Sequence, residues 1–253
     1  MRILLAIVLL IASGLAGAQR LLEFRNDLVF NPADVEAVAA RAFGARLHSL
    51  ASAGRLDPDP ALKARLQRIF PPLLRAAVYE RPAAARLAWE IHACSGCDEN
   101  AMAMPGGKLL VSAGFIERLA LTDGELAYLL AHEMGHVLAE HTREFATAAR
   151  YFVDNGRARS YADIQQELGE NLPVLLRMAP ISAQQELDAD YIGFILGAHA
   201  GFAPEAMLSL LGKLGGSGPS LLGTHPALAR RLEQAHAMLD AARRLAARRA
   251  AAR

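Results

Sequence analysis

The sequence predicts an α+β fold that is mainly helical and includes one small β-sheet. Stretches near the N-terminus and after residue 122 combine helical apolar spacing with capping residues. Between them, residues 87–112 hold three short runs typical of strands. The chain has 253 residues, of which 53% are hydrophobic, so it can build a buried core. Its formal net charge of +1 gives no indication of a nucleic-acid partner.

The chain is predicted to be exported. Residues 1–18 have the layout of a secretory signal peptide, in which Ala16 and Ala18 form the small-residue pattern of a cleavage site. A spanning helix needs about 20 apolar residues, so a permanent anchor is the weaker interpretation, and no later stretch is apolar and long enough. In an oxidising compartment, Cys94 and Cys97 are expected to form a local disulfide. A redox motif or half of a second zinc site is the weaker interpretation.

The N-terminal half is predicted to hold two helices and then three strands. Asn31 is a suitable cap and Pro32 suits a first helical position, so we expect a helix over residues 32–54. A second helix is expected over residues 58–80. The predicted strands cover residues 87–93, 100–104 and 108–112. A Pro-Gly-Gly turn at residues 105–107 indicates a hairpin between the last two strands.

The C-terminal half is predicted to be helical. Thr122 and Glu125 fit a capping box, T-x-x-E, before an apolar run that extends to about His141. A second box, Ser182 with Gln185, is predicted to open another helix. The other expectations are helices over residues 145–180 with a break near 155–156, a glycine-rich loop over 215–223, and an amphipathic helix from 226 onward. We interpret the arginines of that last helix as a solvated face, with peripheral membrane contact as the open alternative.

The chemistry is predicted by the motif His132-Glu133-Met134-Gly135-His136. Residues i and i+4 share one face of a helix, so the two imidazoles can bind one metal ion. Glu133 then lies close enough to accept a proton from a water molecule at the metal. A chance H-E-x-x-H match is expected roughly 0.015 times in a chain of this composition. The alternative, a helix with two exposed histidines, is disfavoured because the flanking residues are apolar and buried unpaired imidazoles are costly.

A catalytic zinc site usually has three protein ligands and one water, so one more ligand is needed. Glu186 is the best candidate because it opens a predicted helix and has Asp190 on the same face. Asp190 would hydrogen-bond a ligand imidazole and fix its tautomer. Asp188, on another face of that helix, is the competing ligand. We interpret three further histidines as structural or exposed, namely His141, His199 and His236.

With these motifs the sequence resembles metallopeptidase family 48, which includes HtpX and the CAAX prenyl proteases. The resemblance rests on N-A-M-A-M-P-G-G from Asn100, H-E-M-G-H-V-L-A-E-H from His132, E-L-D-A-D from Glu186 and T-H-P from Thr224, in the family's order. It implies a gluzincin-type zinc peptidase fold with Glu186 as third ligand and a small sheet beside the zinc helix. The parts expected are a signal peptide over 1–18, a helical segment over 19–54, the metallopeptidase domain over 55–235 and a basic helical tail over 236–253.

The resemblance also implies an activity and a location. The best-known members span the membrane several times, whereas this chain is more similar to exported periplasmic members that act in envelope protein quality control. It implies an endopeptidase with one zinc ion per chain that cleaves misfolded or envelope polypeptides. The edge strand expected to bind them is formed by Asn100, Ala101, Met102 and Ala103. A non-proteolytic metal-stabilised chaperone or assembly factor is the alternative, and hydrolysis of a non-peptide amide is a third.

The segment Thr224-His225-Pro226 carries a further expectation. A His-Pro at this place lies near the zinc in relatives, so the resemblance implies that His225 faces the metal. Either His225 or Arg231 would then donate to the reacting oxygen, or His225 would occupy the fourth zinc position as a latch. The alternative is a capping role for Thr224 with the imidazole packed incidentally.

Overall fold

The structure is a computed structural model that describes residues 28–97, 101–153, 159–215 and 228–251. Several predicted features lie outside these ranges, namely the signal peptide, Asn100, the break near residues 155–156, most of the glycine-rich loop, and His225.

The described residues form helices around one three-stranded sheet. The helices are α1 (Pro32–Ser52), α2 (Pro60–Glu80), α3 (Ala113–Arg118), α4 (Asp123–Leu138), α5 (His141–Val153), α6 (Tyr161–Glu170), α7 (Leu172–His199), α8 (Glu205–Gly215) and α9 (Leu228–Ala251). The strands are β1 (Glu90–Cys94), β2 (Ala101–Met104) and β3 (Lys108–Ser112), and a 3-10 turn (Pro82–Arg86) precedes β1. The predicted mainly helical α+β class is therefore confirmed.

The two predicted N-terminal helices are confirmed to within two residues at their ends, as is the predicted Asn31 cap, and the structure adds Asp59 as the cap of α2. The Asn31 side chain accepts the Ala33 N–H at 2.9 Å, and the Asp59 side chain accepts the Ala61 N–H at 2.8 Å. Each cap satisfies a backbone donor that has no partner inside the first helical turn.

The sheet has the strand order β1-β3-β2. β2 and β3 pair antiparallel with Met104 opposite Lys108, so the predicted hairpin is confirmed. Its turn needs glycine, because Gly106 and Gly107 have φ values of 83° and 82°. β1 pairs with β3 in parallel. It begins three residues later than predicted, because the 3-10 turn continues into a loop that Trp89 closes by donating to the Ala84 carbonyl at 2.8 Å.

Helix α4 begins as predicted and ends early. Both hydrogen bonds of the capping box are present, since the Thr122 N–H donates to the Glu125 carboxylate and the Glu125 N–H donates to the Thr122 hydroxyl. The helix was expected to reach about His141 but ends at Leu138. The reason is Glu140, whose φ of 57° lies in the left-handed region and stops the helix before α5 begins.

The predicted helix start at Ser182 and Gln185 is wrong. Helix α7 begins at Leu172, eleven residues earlier than a cap at Ser182 would start it, and the Asn171 side chain caps it by accepting the Val174 N–H at 3.2 Å. The helix continues through Pro180, so the second box falls inside it, where backbone N–H groups already have partners four residues back. The Gln185 amide instead donates across to α5.

Helices α4 and α7 pack against each other so closely that glycine is required at the contact. A Cβ on Gly135 would lie 2.9 Å from the Ala189 carbonyl oxygen, and one on Gly193 would lie 2.9 Å from the backbone nitrogen of His132. Real Cβ atoms essentially never approach backbone atoms this closely. The two glycines therefore set the distance between the H-E-x-x-H helix and the helix that carries Glu186.

The apolar core has one large cluster and two smaller ones. The large cluster surrounds α4 and includes residues of α2, α3, the sheet, α7 and α8. One of the smaller clusters joins α1, α5, α6 and the first half of α7. The other joins α1 to β1 and β3 through Phe43, Leu50, Cys94 and Leu110. Cys94 and Cys97 form the predicted disulfide at the end of β1. Across the described ranges, none of the helices combines the length and the apolar character needed to cross a membrane.

Candidate metal centre

Two imidazoles from α4 and one carboxylate from α7 meet at one point. The Nε2 atoms of His132 and His136 lie 3.1 Å apart. The carboxylate oxygens of Glu186 lie 3.4 Å from His132 Nε2 and 3.3 Å from His136 Nε2. Within the described part of the chain, these three residues form the one group of His, Cys, Asp and Glu side chains arranged to hold a metal ion.

These distances suit a tetrahedral zinc site. With bonds of about 2.0–2.1 Å, the ligand atoms of such a site lie about 3.3 Å from one another. The charges suit a cation as well. Burial lowers the pKa of His132, but the carboxylates of Glu186 and Asp190 outweigh it and raise that pKa to about 10. The carboxylates therefore stabilise a positive charge at His132 itself, and a metal ion would have to displace this proton, because a ligating imidazole is neutral.

A buried pair, Asp190 and Arg231, holds two of the three candidate ligands. The Asp190 carboxylate lies 2.9 Å from Nδ1 of His132, the ring nitrogen that faces away from the cluster. Arg231 donates to both Asp190 oxygens, at 2.6 and 2.7 Å, and its third nitrogen lies 3.1 Å from a Glu186 oxygen. Burial raises the pKa of Asp190, but hydrogen bonds from Arg231 and His132 outweigh it and hold that pKa below its ordinary value.

These contacts bear on the role predicted for Arg231. All three guanidinium nitrogens face carboxylates, which favours positioning Glu186 and Asp190 over donation to a reacting oxygen. Donation to the oxygen stays a prediction, as does every role of His225, which lies outside the described residues.

The contact of His136 with His141 was missed by sequence reasoning. The Nδ1 atoms of the two rings lie 2.9 Å apart and their planes are at 73°. His141 is buried, and its backbone carbonyl accepts a hydrogen bond from Gln185 of α7 at 3.0 Å. Nδ1 of His136 therefore faces the His141 imidazole, as Nδ1 of His132 faces the Asp190 carboxylate. The family motif H-E-M-G-H-V-L-A-E-H ends at His141, but it does not predict the contact, which depends on the sharp turn at Glu140.

Glu133 and His136 both line a cavity of about 400 Å³. Ala103 of β2 lies on one side of this cavity, and Gln165 and Leu168 of α6 contribute to its lining. A water molecule or a peptide bond therefore has access to the carboxylate and the candidate metal ligand together.

The remaining candidates lie outside this cluster. Asp188, the competing ligand, accepts from the Gln184 amide at 3.1 Å. His199 pairs with Glu80 at 2.6 Å, and His236 is exposed on α9.

Comparison with known proteins decides the family. Residues 60–239 match Peptidase family M48. The chain belongs to peptidase family M48. The family predicted from the four motifs is thus confirmed, and the metal cluster lies inside the matched residues.

Curated relatives include members from eukaryotes and bacteria. Mitochondrial metalloendopeptidase OMA1 of Saccharomyces cerevisiae is 31% identical over 197 residues, which cover 70% of this chain and 56% of the relative. OMA1 of Arabidopsis thaliana is 32% identical over 162 residues, covering 61% and 33%. Metalloprotease LoiP of Escherichia coli is 30% identical over 146 residues, covering 54% and 57%. The chain therefore spans between a third and somewhat over half of the length of these M48 proteins.

Arg231 offers a test of how this M48 site is positioned. Replacing it by glutamine should weaken metal binding about 10- to 100-fold, the usual effect of losing a partner that orients metal ligands. Competition with a chelator of known affinity measures the change. Arg243→Gln is the matched control, because Arg243 lies on the same helix and pairs with Glu205 at the surface. Equal metal affinity in the folded Arg231 and Arg243 variants would contradict the positioning role.

Proposed function

We propose that this protein is a zinc-dependent endopeptidase that hydrolyses polypeptides. His132, His136 and Glu186 would hold the metal, and Glu133 would act as general base. The observation that carries the proposal is the meeting of these three donor groups beside a carboxylate in an open cavity. Family membership supports it, because the relatives named above are metalloproteases or metalloendopeptidases.

Residues of this chain would transfer the proton and hold the metal ligands in position. A bound zinc ion supplies Lewis acidity, which makes water more acidic and polarises a carbonyl group. Glu133 takes the proton of the attacking water and passes it to the leaving amine. Asp190 and Arg231 keep His132 and Glu186 in place, so that little reorganisation is needed when the substrate binds.

The substrate would bind along the free edge of β2. Among the described strands, β2 lies at the edge of the sheet next to α4, and its Ala103 lines the cavity that holds Glu133. The residues proposed to pair with it are Ala101, Met102, Ala103 and, outside the described ranges, Asn100. Main-chain pairing accepts many side chains, which suits a peptidase of misfolded or envelope polypeptides.

Backbone methylation of a substrate tests this strand pairing. Methylating one peptide N–H that pairs with β2 should raise KM about 2- to 10-fold, the effect of one lost hydrogen bond. Methylating the neighbouring N–H, which points the other way in a strand, should have little effect. A series of peptides methylated one position at a time measures the pattern. The pairing is refuted if KM shows no alternation along the series.

We place the protein outside the cytoplasm, in the periplasm. The signal-peptide pattern of residues 1–18 and the Cys94–Cys97 disulfide support this location. The OMA1 relatives are named as mitochondrial, so the compartment needs its own test. Cell fractionation should find the protein, without residues 1–18, in the periplasmic fraction, and an uncleaved cytosolic protein would contradict the proposal.

Digestion of an unfolded protein such as reduced casein tests the activity itself. Purified protein should cut it into peptides, lose activity with a chelator and regain it with zinc. A non-proteolytic metal-stabilised chaperone would instead suppress aggregation without producing new N-termini. Fragments that persist at full yield in the presence of chelator would overturn the zinc-dependent mechanism.

A further inference from the structure

A second cavity, here called the side cavity, adjoins the candidate metal centre. It has a volume of about 140 Å³ and lies between α1, the 3-10 turn, the β2–β3 turn and the end of α4. His136 and Ala103 line both the side cavity and the larger one that holds Glu133. A peptide lying along β2 would therefore bring a side chain within reach of it.

The walls of the side cavity are largely apolar. Val35, Ala84 and Leu138 are almost completely buried there, with 2%, 2% and 6% of their surface exposed. The two arginines that line it are already paired. Arg81 donates to the Leu138 carbonyl at 2.6 Å, and Arg143 donates to the Phe30 carbonyl at 2.5 Å. Two glutamates, Glu36 and Glu140, also line it, and Glu140 pairs with Arg143. An apolar group fits the rest of the lining, and an acidic group would face these carboxylates unfavourably.

The size of the side cavity sets the size of its occupant. A protein cavity of about 150 Å³ lined by apolar side chains holds one benzene molecule. The side cavity, at about 140 Å³, has room for a single leucine, methionine or phenylalanine side chain.

The direction of β2 indicates which part of a bound peptide would occupy the side cavity. The strand runs from Ala101 to Met104, and the turn that follows it, at Pro105 and Gly106, lines the side cavity. Antiparallel pairing is the commoner arrangement of strands. A peptide paired in that way would have its N-terminal part beside this turn.

We propose that the side cavity is a specificity subsite for one leucine-, methionine- or phenylalanine-sized residue on the N-terminal side of the cleaved bond. This inference rests on the proposed peptidase function and adds a substrate preference to it. Filling an apolar subsite changes discrimination by roughly 10- to 100-fold.

Cleavage of a randomised peptide library tests the subsite. The wild-type protein should favour Leu, Met or Phe at one fixed position N-terminal to the cleaved bond. Ala84→Leu, which fills the side cavity, should lower kcat/KM for a leucine peptide about 10-fold or more while sparing its alanine counterpart. Leu87→Ala, which enlarges it, should shift the preference to Phe and Trp. Ala40→Leu is the matched control, because Ala40 is exposed on α1 and does not line the side cavity.

Three results would overturn the subsite. One is cleavage without any preference at such a position, and another is a preference for Lys or Arg, which would point to Glu36 in the lining. The third comes from binding of intact peptides to the Glu133→Gln variant, a measurement that needs no turnover. There a leucine peptide should bind about 10-fold more tightly than its alanine counterpart. Equal binding refutes the subsite, whereas tight binding without any wild-type cleavage refutes the peptidase function alone.

Discussion

Replacing Glu133 by glutamine should lower kcat by about 10²- to 10⁴-fold, because only proton transfer is removed. Glutamine has the shape of glutamate but cannot take a proton from water. The metal content should not change, since Glu133 points into the open cavity and is not one of the three clustered donors. Steady-state cleavage of a fluorogenic peptide, with zinc measured in the same samples, gives both quantities.

The control for Glu133 is another glutamate-to-glutamine change. Glu117 is exposed on α3, outside the cavity, so Glu117→Gln should retain wild-type turnover. Full activity of a correctly loaded Glu133→Gln protein would show that another group moves the proton.

Replacing Glu186 by alanine should remove both the metal and the activity. The loss of affinity should exceed the 10- to 100-fold effect of removing an orienting partner, because a donor atom itself is lost. Glu186 also faces Arg231 at 3.1 Å, so the variant removes one of the two carboxylates that this guanidinium contacts. Metal bound only to the folded state raises the melting temperature. Zinc should therefore raise the Tm of the wild-type protein and have no effect on the variant.

Asp188→Ala is the matched control for Glu186, because Asp188 was the competing ligand in the sequence and lies two residues away on α7. Its contact with Gln184 is outside the cluster, so the variant should bind zinc like the wild type. The opposite outcome, loss of zinc from the Asp188 variant and retention in the Glu186 variant, would reverse the ligand assignment.

Sequence signals predicted the structure correctly where the residues that decide it lie within a few positions of one another. The caps at Asn31 and Thr122 and the Pro-Gly-Gly turn act over four residues or fewer, and each is present as expected. The second capping box failed because the same four-residue pattern also fits the interior of a helix. Deciding between the two needs the start of α7, which Asn171 caps eleven residues before Ser182.

The sequence predicted the candidate metal ligands, but not all of the residues that position them. The H-E-x-x-H spacing determines which two imidazoles share a helix face. Glu186 was predicted from a helix start and from Asp190 on the same face, and the family resemblance implied it as well; the helix start is wrong, but the shared face holds. The contacts of His141 and Arg231 could not be predicted, because they join residues of different helices. The His136–His141 contact depends on the sharp turn at Glu140, and the contacts of Arg231 depend on how α9 packs against α7.

X-ray diffraction from crystals of the purified protein, measured on both sides of the zinc absorption edge, tests the metal centre most directly. The expected result is one anomalous peak per chain, within bonding distance of Nε2 of His132, Nε2 of His136 and the Glu186 carboxylate. Soaking with a chelator should remove the peak while these side chains keep their places. A zinc peak bound by other residues, or active protein without metal at this position, would contradict the account.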